Sequence, residues 1–287
     1  QTEANGPLPA TPLPGDPVVS LPDRRSGASP SSYASYRAFF SLCPFLPRPT
    51  PAFLRLETTK NLECLQNRSR FLLSIGELAE AEAVLAAFQE IDGGSLMPGQ
   101  GDLVSRLLNV LGTAQIGRRR IEMARRSFEL ALEIQKQSRE AKVDQALTLN
   151  NLAAIEAIGG KFRRSQAFLS EAIALLEQAG PDHRSNLVTT LDNSARMSWN
   201  LGEYQQALAL YERALLLTET DLRADPLALA RNLWGCARIH SALGNYSRAR
   251  VLFERSQKLA ESGGTQGQPL MGRVLGDFGL CGRHDVR

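Results

Sequence analysis

From Lys60 onward the chain repeats a two-part pattern of apolar and polar positions. A run with apolar residues at i, i+3 and i+4, such as Leu149, Leu152 and Ala153, precedes a Gly-x-aromatic triplet, and a second amphipathic run follows it. The pattern predicts a helix, a tight turn and a second helix. The triplets GKF, GEY and GNY end at Phe162, Tyr204 and Tyr246, a spacing of 42 residues. Three residues on stand Ser165, Ala207 and Ala249; seven on, Leu169, Tyr211 and Phe253; ten on, Ala172, Ala214 and Ser256. Two earlier segments share the order: GEL ends at Leu78 and precedes Ala81, Leu85 and Phe88, and RRI ends at Ile121 and precedes Ala124, Phe128 and Ala131. Each feature has a physical use. Glycine after a helical run takes the left-handed conformation that stops a helix. The aromatic opens the second helix and covers the first, the small residue lets two helices approach, and the large one fills the groove on the next repeat. One such unit cannot bury its own apolar face, so the units must stack.

The order L-x-x-L/S-A, then G-x-Y/F, then A-x-x-x-Y/F-x-x-A resembles the tetratricopeptide repeat. The resemblance covers residues 60–262 in five repeats, at about 60–92, 103–138, 144–179, 186–220 and 228–262. Their period exceeds the common repeat length of about 34 residues. With LNNLA at 149–153 and YQQALALYERAL at 204–215, it is similar to the kinesin light chain subgroup. No coiled-coil heptads precede the repeats, which counts against a true light chain. The resemblance implies an all-α fold: a right-handed α-solenoid of stacked antiparallel helix pairs, whose first helices line a concave face where partners lie. Residues 263–287 read as a partial sixth repeat or a cap, although their glycine content argues against a stable helix.

The remaining segments are of other kinds. Residues 1–32 are rich in Pro, Gly and Ser without helical period and read as a disordered leader. Residues 33–59 are aromatic, and Pro44, Pro47, Pro49 and Pro51 forbid one long helix. A short helix near 33–42 would dock on the solenoid, as a cap or as a plug in its groove. GGSLMPGQGD at 93–102 reads as a loop between repeats. A start at Gln1 leads us to expect that something upstream was removed. Export after signal removal fits the leader, sparse cysteines fit the cytosol as well, and the compartment stays unassigned.

Composition narrows the classes of function. Net charge is +3 and the pI about 8.8, too mild a balance to argue for nucleic acid. No apolar run approaches the ~18 residues of a membrane span. Cys43, Cys64, Cys236 and Cys281 show no metal-ligand spacing and read as buried thiols. Asp277–Gly279 spells DFG, but no phosphate-covering glycine loop or HRD segment accompanies it. His183, His240 and His284 lie far apart in sequence, and HExxH and GxSxG are absent. Asn67 and Asn245 head glycosylation sequons in letters only. The expectation is a protein that is not an enzyme and requires no cofactor or metal.

Candidate binding residues follow from the repeat count. From the first-helix leucines Leu149, Leu191 and Leu233, exposed concave positions are expected one, two and five residues later. These are Asn150, Asn151 and Ala154; Asp192, Asn193 and Arg196; and Trp234, Gly235 and Arg238. The same count gives Gln66, Asn67 and Arg70, then Asn109, Val110 and Thr113. An asparagine amide offers a donor and an acceptor to the backbone of an extended peptide. Arg196 and Arg238, equivalent in adjacent repeats, suit a carboxylate. Trp199 and Trp234 would supply an apolar wall. Each has a structural counterpart: asparagine bonds between repeats, arginine pairs with Asp192 or Glu203, tryptophan fills the core. Gln66 and Arg70 stand where chaperone-adaptor members of the family carry a Lys/Asn pair, so that clamp is not expected. The function read from the sequence is a non-catalytic scaffold that binds an extended, acidic peptide segment of another protein. The alternatives are the adaptor part of a larger chain whose catalytic or nucleic-acid-binding domain lies elsewhere, and self-capping by the aromatic segment.

Overall fold

The computed structural model describes residues 59–90, 100–138, 141–221 and 225–284. The readings of the leader, the aromatic segment and Cys43 lie outside the described residues. Those residues form eleven α-helices: α1 (Thr59–Ser74), α2 (Leu78–Leu85), α3 (Gly101–Gly117), α4 (Ile121–Lys136), α5 (Lys142–Ile158), α6 (Phe162–Ala179), α7 (Arg184–Asn200), α8 (Tyr204–Glu219), α9 (Pro226–Ala242), α10 (Tyr246–Ser262) and α11 (Gln268–His284). There is no strand among the described residues. Gly101 and Asp102, read as the end of a loop, already belong to α3. The chain divides into two units, 59–155 and 156–284 in the described part, with the division inside α5.

The same turn joins both helices of every pair. Its backbone N–H groups at Glu77, Arg120, Lys161, Glu203 and Asn245 donate to the carbonyls of Leu72, Gln115, Glu156, Ser198 and His240, all at 2.8–2.9 Å. This is the bond that closes a helix over a left-handed residue. Glycine supplies that residue four times, at Gly76, Gly160, Gly202 and Gly244, with φ between +71° and +80°. In the α3–α4 turn the place falls to Arg119, at φ +60°. A side chain there costs about 1 kcal/mol relative to glycine. Arg119→Gly is therefore expected to raise stability by about 0.5–1 kcal/mol in urea unfolding, and a loss of stability would contradict this account of the turn.

In the unit 59–155, α3 packs against α1, α2 and α4. The core is Leu62, Leu65, Leu85, Phe88, Leu107, Leu108, Leu111 and Ile134. The exposed turn at 118–120 does more than face solvent. Arg118 and Arg120 both bind the carboxylate of Glu82, Arg120 at 2.7 Å, and Glu82 is almost fully buried on α2. Two guanidinium groups thus neutralise an acid that burial alone would penalise.

In the unit 156–284, consecutive helices pack in chain order from α6 to α11. The first helices of successive pairs also touch, α7 with α9 and α9 with α11. Second helices are tied across pairs by a repeated bridge: Arg213 of α8 binds Glu177 of α6, and Arg255 of α10 binds Glu219 of α8. The glycine-rich tail is a 17-residue helix, α11. Tertiary packing overrides its weak propensity, because Leu270, Val274 and Cys281 are buried against α9 and α10, and Phe278 lies 5.7 Å from Phe253. Cys236 is buried too, and burial, reinforced by Glu212, pushes its thiol up to about 12.

Candidate functional site

One of the predicted arginines, Arg238, and both tryptophans meet on the first helices of the unit 156–284. Arg238, on α9, sets its guanidinium carbon 4.4 Å from the Trp199 ring of α7 and 5.1 Å from the Trp234 ring of its own helix. Both lie within the reach of a cation–π attraction, strongest where water is excluded. Only 12% of the Arg238 side chain is exposed, and its Nε lies 3.1 Å from Asp277 Oδ2 of α11 in an ion pair. The same oxygen accepts from Trp234 Nε1 at 2.9 Å. Burial lowers the proton affinity of Arg238, and Asp277 opposes that. The Trp199 ring also lies 5.1 Å from Tyr204, the aromatic that opens α8. Trp199 Nε1 is buried without a hydrogen-bond partner.

Arg196, half-buried, occupies the position in α7 that Arg238 occupies in α9. Beside it, burial raises the Asp192 carboxyl above the usual carboxylate range, against the pull of Arg196 and Arg231 and a hydrogen bond from Tyr211. Burial and Asp192 in turn push the Tyr211 phenol well above its usual value. Gly235 makes this contact possible. A Cβ there would stand 2.4 Å from the Tyr211 ring, so α9 meets α8 through bare backbone.

The count from the leucines places these side chains on the right helices but overstates their exposure. Asn150, Ala154, Asn193, Trp234 and Gly235 are all buried. The reason is packing from neighbouring helices, which touch first helices on more than one side. Glu203 pairs with Arg163 at 2.6 Å, and Arg238 takes Asp277 instead. Sequence reasoning missed Asp277. The signal was available, because Asp277 follows Leu275 by two residues, in the register that Asn193 holds after Leu191.

The candidates of the unit 59–155 are arranged differently. Asn151 donates to Asn109 Oδ1 at 3.1 Å, and Asn109 donates to Thr148 Oγ1 at 2.8 Å and to the Ser105 carbonyl at 3.0 Å. These amides link one first helix to the next. Asn150 donates to the Ala146 carbonyl of its own helix at 3.1 Å. Asn67 and Arg70 are exposed. Arg70 and Arg106 help offset the burial that raises the Asp144 carboxyl, and Arg106 contacts it at 3.2 Å.

His240 bears on pH behaviour. It is buried, its Nδ1 has no partner, and burial, reinforced by Arg248, lowers its pKa. The unfolded chain takes up this proton near pH ~6.5 and the folded chain only below it. The stability tied to neutral His240 is therefore present above that pH and lost as pH falls towards the folded value. Urea unfolding at about pH 7.5 and 5.5 is expected to show a drop that His240→Gln reduces; equal slopes in both proteins would contradict it.

Among the described residues no group of three or more His, Cys, Asp or Glu side chains is placed to hold a metal ion, and no helix is long and apolar enough to cross a membrane. The tetratricopeptide repeat family pattern matches residues 144–215 and 186–262. Among curated protein sequences none matches the chain. The fold is similar to the crystal structure of BtubC (BKLC) from P. vanneervenii, with TM-score 0.62 and 18% identity over 81% of this chain and 88% of that one. It is also similar to a putative kinesin light chain of nearly identical TPR-like repeats from Podosopora anserina, with TM-score 0.59 and 18% identity over 73% of this chain and 99% of that one. Aspartyl phosphate phosphatase F from Bacillus subtilis shares the helical architecture at TM-score 0.57 and 12% identity, over 78% of this chain and 55% of its own. With these helix pairs, their shared turns and their matched period, residues 144–262 match the tetratricopeptide repeat pattern, and the fold is similar to that of the kinesin light chain-like repeats.

Proposed function

We propose that the first-helix side of the unit 156–284 holds an extended acidic segment of a protein partner, with Arg196 as its entry cation. Tetratricopeptide repeats are in general non-catalytic scaffolds for protein–protein interaction, and that general role extends to residues 144–262. The observation that carries the finer reading is the Arg238 guanidinium held against Trp199 and Trp234 with Arg196 one repeat away. A carboxylate of the partner would meet Arg196 first and compete with Asp277 for Arg238. The preformed helices lower the cost of ordering the peptide. The Asp277 contact favours a second reading, in which Arg238 and the two indoles fix α11 against α9 and bind nothing else.

Binding of an acidic-peptide library separates the two. The first reading expects salt-sensitive binding that Arg196→Gln weakens by about tenfold or more, with circular dichroism unchanged. Equal binding by the wild type and the variant, or none by either, would leave the second reading.

A further inference from the structure

Three departures from the repeat pattern coincide beside Arg196. Seven residues after each turn triplet the second helices carry Leu85, Phe128, Leu169, Tyr211 and Phe253, all buried. The other four fill this slot with hydrocarbon alone, so the fold does not need the Tyr211 hydroxyl. A phenol 4% exposed does need a partner for it. That partner is Asp192 of α7, which accepts a hydrogen bond from Tyr211. Asp192 is itself a departure, since Asn150 and Trp234 stand 42 residues to either side of it. The third is Gly235, in the place that Asn151 and Asn193 hold in earlier repeats. Any side chain there would run into the Tyr211 ring. Tyr211, Asp192 and Gly235 thus form one arrangement, with Asp192 at its more exposed end.

The Asp192 carboxyl faces cations from two first helices, Arg196 of α7 and Arg231 of α9, and the Tyr211 hydroxyl of α8. Arg196 follows it by four residues, one turn along the same helix face. Arg231 has 47% of its side chain exposed, and its contact with Asp225 spans 3.9 Å between two exposed groups, too weak to hold it. Two guanidinium groups about one carboxylate are what an acidic ligand requires, and here the chain supplies the carboxylate itself. We propose that Arg231 is a second ligand-binding arginine of the site, and that Asp192, anchored by Tyr211, is the internal competitor that a peptide carboxylate displaces from Arg196 and Arg231. The proposal rests on the reading of Arg196 as entry cation and adds a residue and a control to it. The control is by pH. Burial raises the Asp192 carboxyl above the usual range, against Arg196, Arg231 and the Tyr211 bond. Carboxylates of an extended peptide keep ordinary values near ~4. Acidification therefore neutralises the competitor before the ligand, and binding tightens.

The probe is a labelled peptide rich in glutamate and free of histidine, titrated into the full chain by fluorescence anisotropy at about pH 7.5 and 5.5. The wild type is expected to bind about fivefold or more tighter at the lower pH. Asp192→Asn, which keeps an acceptor for Tyr211, should bind at the higher pH as tightly as the wild type does at the lower, and lose the pH dependence. Arg231→Gln should weaken binding by about tenfold or more, whereas Arg255→Gln, which removes the same charge from a second helix, should not. Tyr211→Phe keeps the ring that Phe253 places in the same slot and frees Asp192 of its hydrogen bond, so the rise in affinity should move to higher pH. Circular dichroism verifies each fold, and His240 is common to all the proteins compared. Weaker binding by Arg196→Gln while Asp192→Asn and Arg231→Gln match the wild type would overturn this proposal and leave the Arg196 reading standing. Absence of binding by the wild type and Asp192→Asn alike would overturn both.

Discussion

Phe253→Ala is expected to destabilise the unit 156–284 by about 3–5 kcal/mol, the largest effect of any single side chain considered. Phe253 is fully buried, and it sits between the first helix of its own pair and α11, where Val274 and Phe278 close over it. Truncation removes a large apolar contact area and leaves a cavity that three separate helices cannot collapse into without shifting. Phe253→Leu keeps most of the volume and should cost less than about 1.5 kcal/mol. Urea unfolding followed by far-UV circular dichroism measures the difference. Stacked repeats unfold with imperfect cooperativity, so hydrogen exchange should accompany it. Amides of α9–α11 should lose protection while those of α3 and α4 keep theirs. A loss below about 1 kcal/mol would mean that α11 is held by something other than this contact.

Asp277→Asn carries the second large effect. The amide oxygen still accepts from Trp234, so the substitution removes chiefly the charge. Arg238 is then left between two indoles with little exposure and no anion in contact. Removing one partner of a buried pair costs about 3–5 kcal/mol, and the partial exposure of Asp277 should reduce this to about 2–3 kcal/mol. The functional consequence has the opposite sign. Freed of its internal partner, Arg238 becomes available to a ligand carboxylate, and an acidic peptide should bind more tightly than it does to the wild type. Urea unfolding and peptide titration of the same variant measure both effects. A cost below about 0.5 kcal/mol together with unchanged peptide affinity would reduce the pair to an ordinary surface contact.

Much of the fold is legible from the sequence because the repeat writes its own geometry. The leucine anchors are local signals, and so are the turn glycines and the small-large-small order of the second helices. Two features escaped that logic. Arg119 takes a left-handed turn position that glycine fills elsewhere, and its neighbours Arg118 and Arg120 converge on Glu82, dozens of residues away. The tail reads as a poor helix because Gly272, Gly276, Gly279 and Gly282 depress its propensity, yet the residues between them are held by α9 and α10. The candidate site is legible to a lesser degree. The count brings Arg196, Arg238, Trp199 and Trp234 to one region, since position in the repeat fixes the face of a helix. It does not give burial, which depends on what neighbouring helices cover, and so it exposes Asn150 and Asn193 wrongly. It also misses Asp277, which enters the cluster only because α11 continues the register of the repeats.

Trp199 and Trp234 are the two tryptophans of the chain, and both border Arg238. Intrinsic fluorescence therefore reports on the proposed site without a label. The decisive measurement is a titration of the full chain with an extended acidic peptide, following tryptophan emission beside the anisotropy of the labelled peptide. The account predicts that both signals saturate together, weaken with added salt and fall by about tenfold or more in affinity for Arg196→Gln. Saturating anisotropy with unchanged tryptophan emission would place the peptide elsewhere and contradict the central claim.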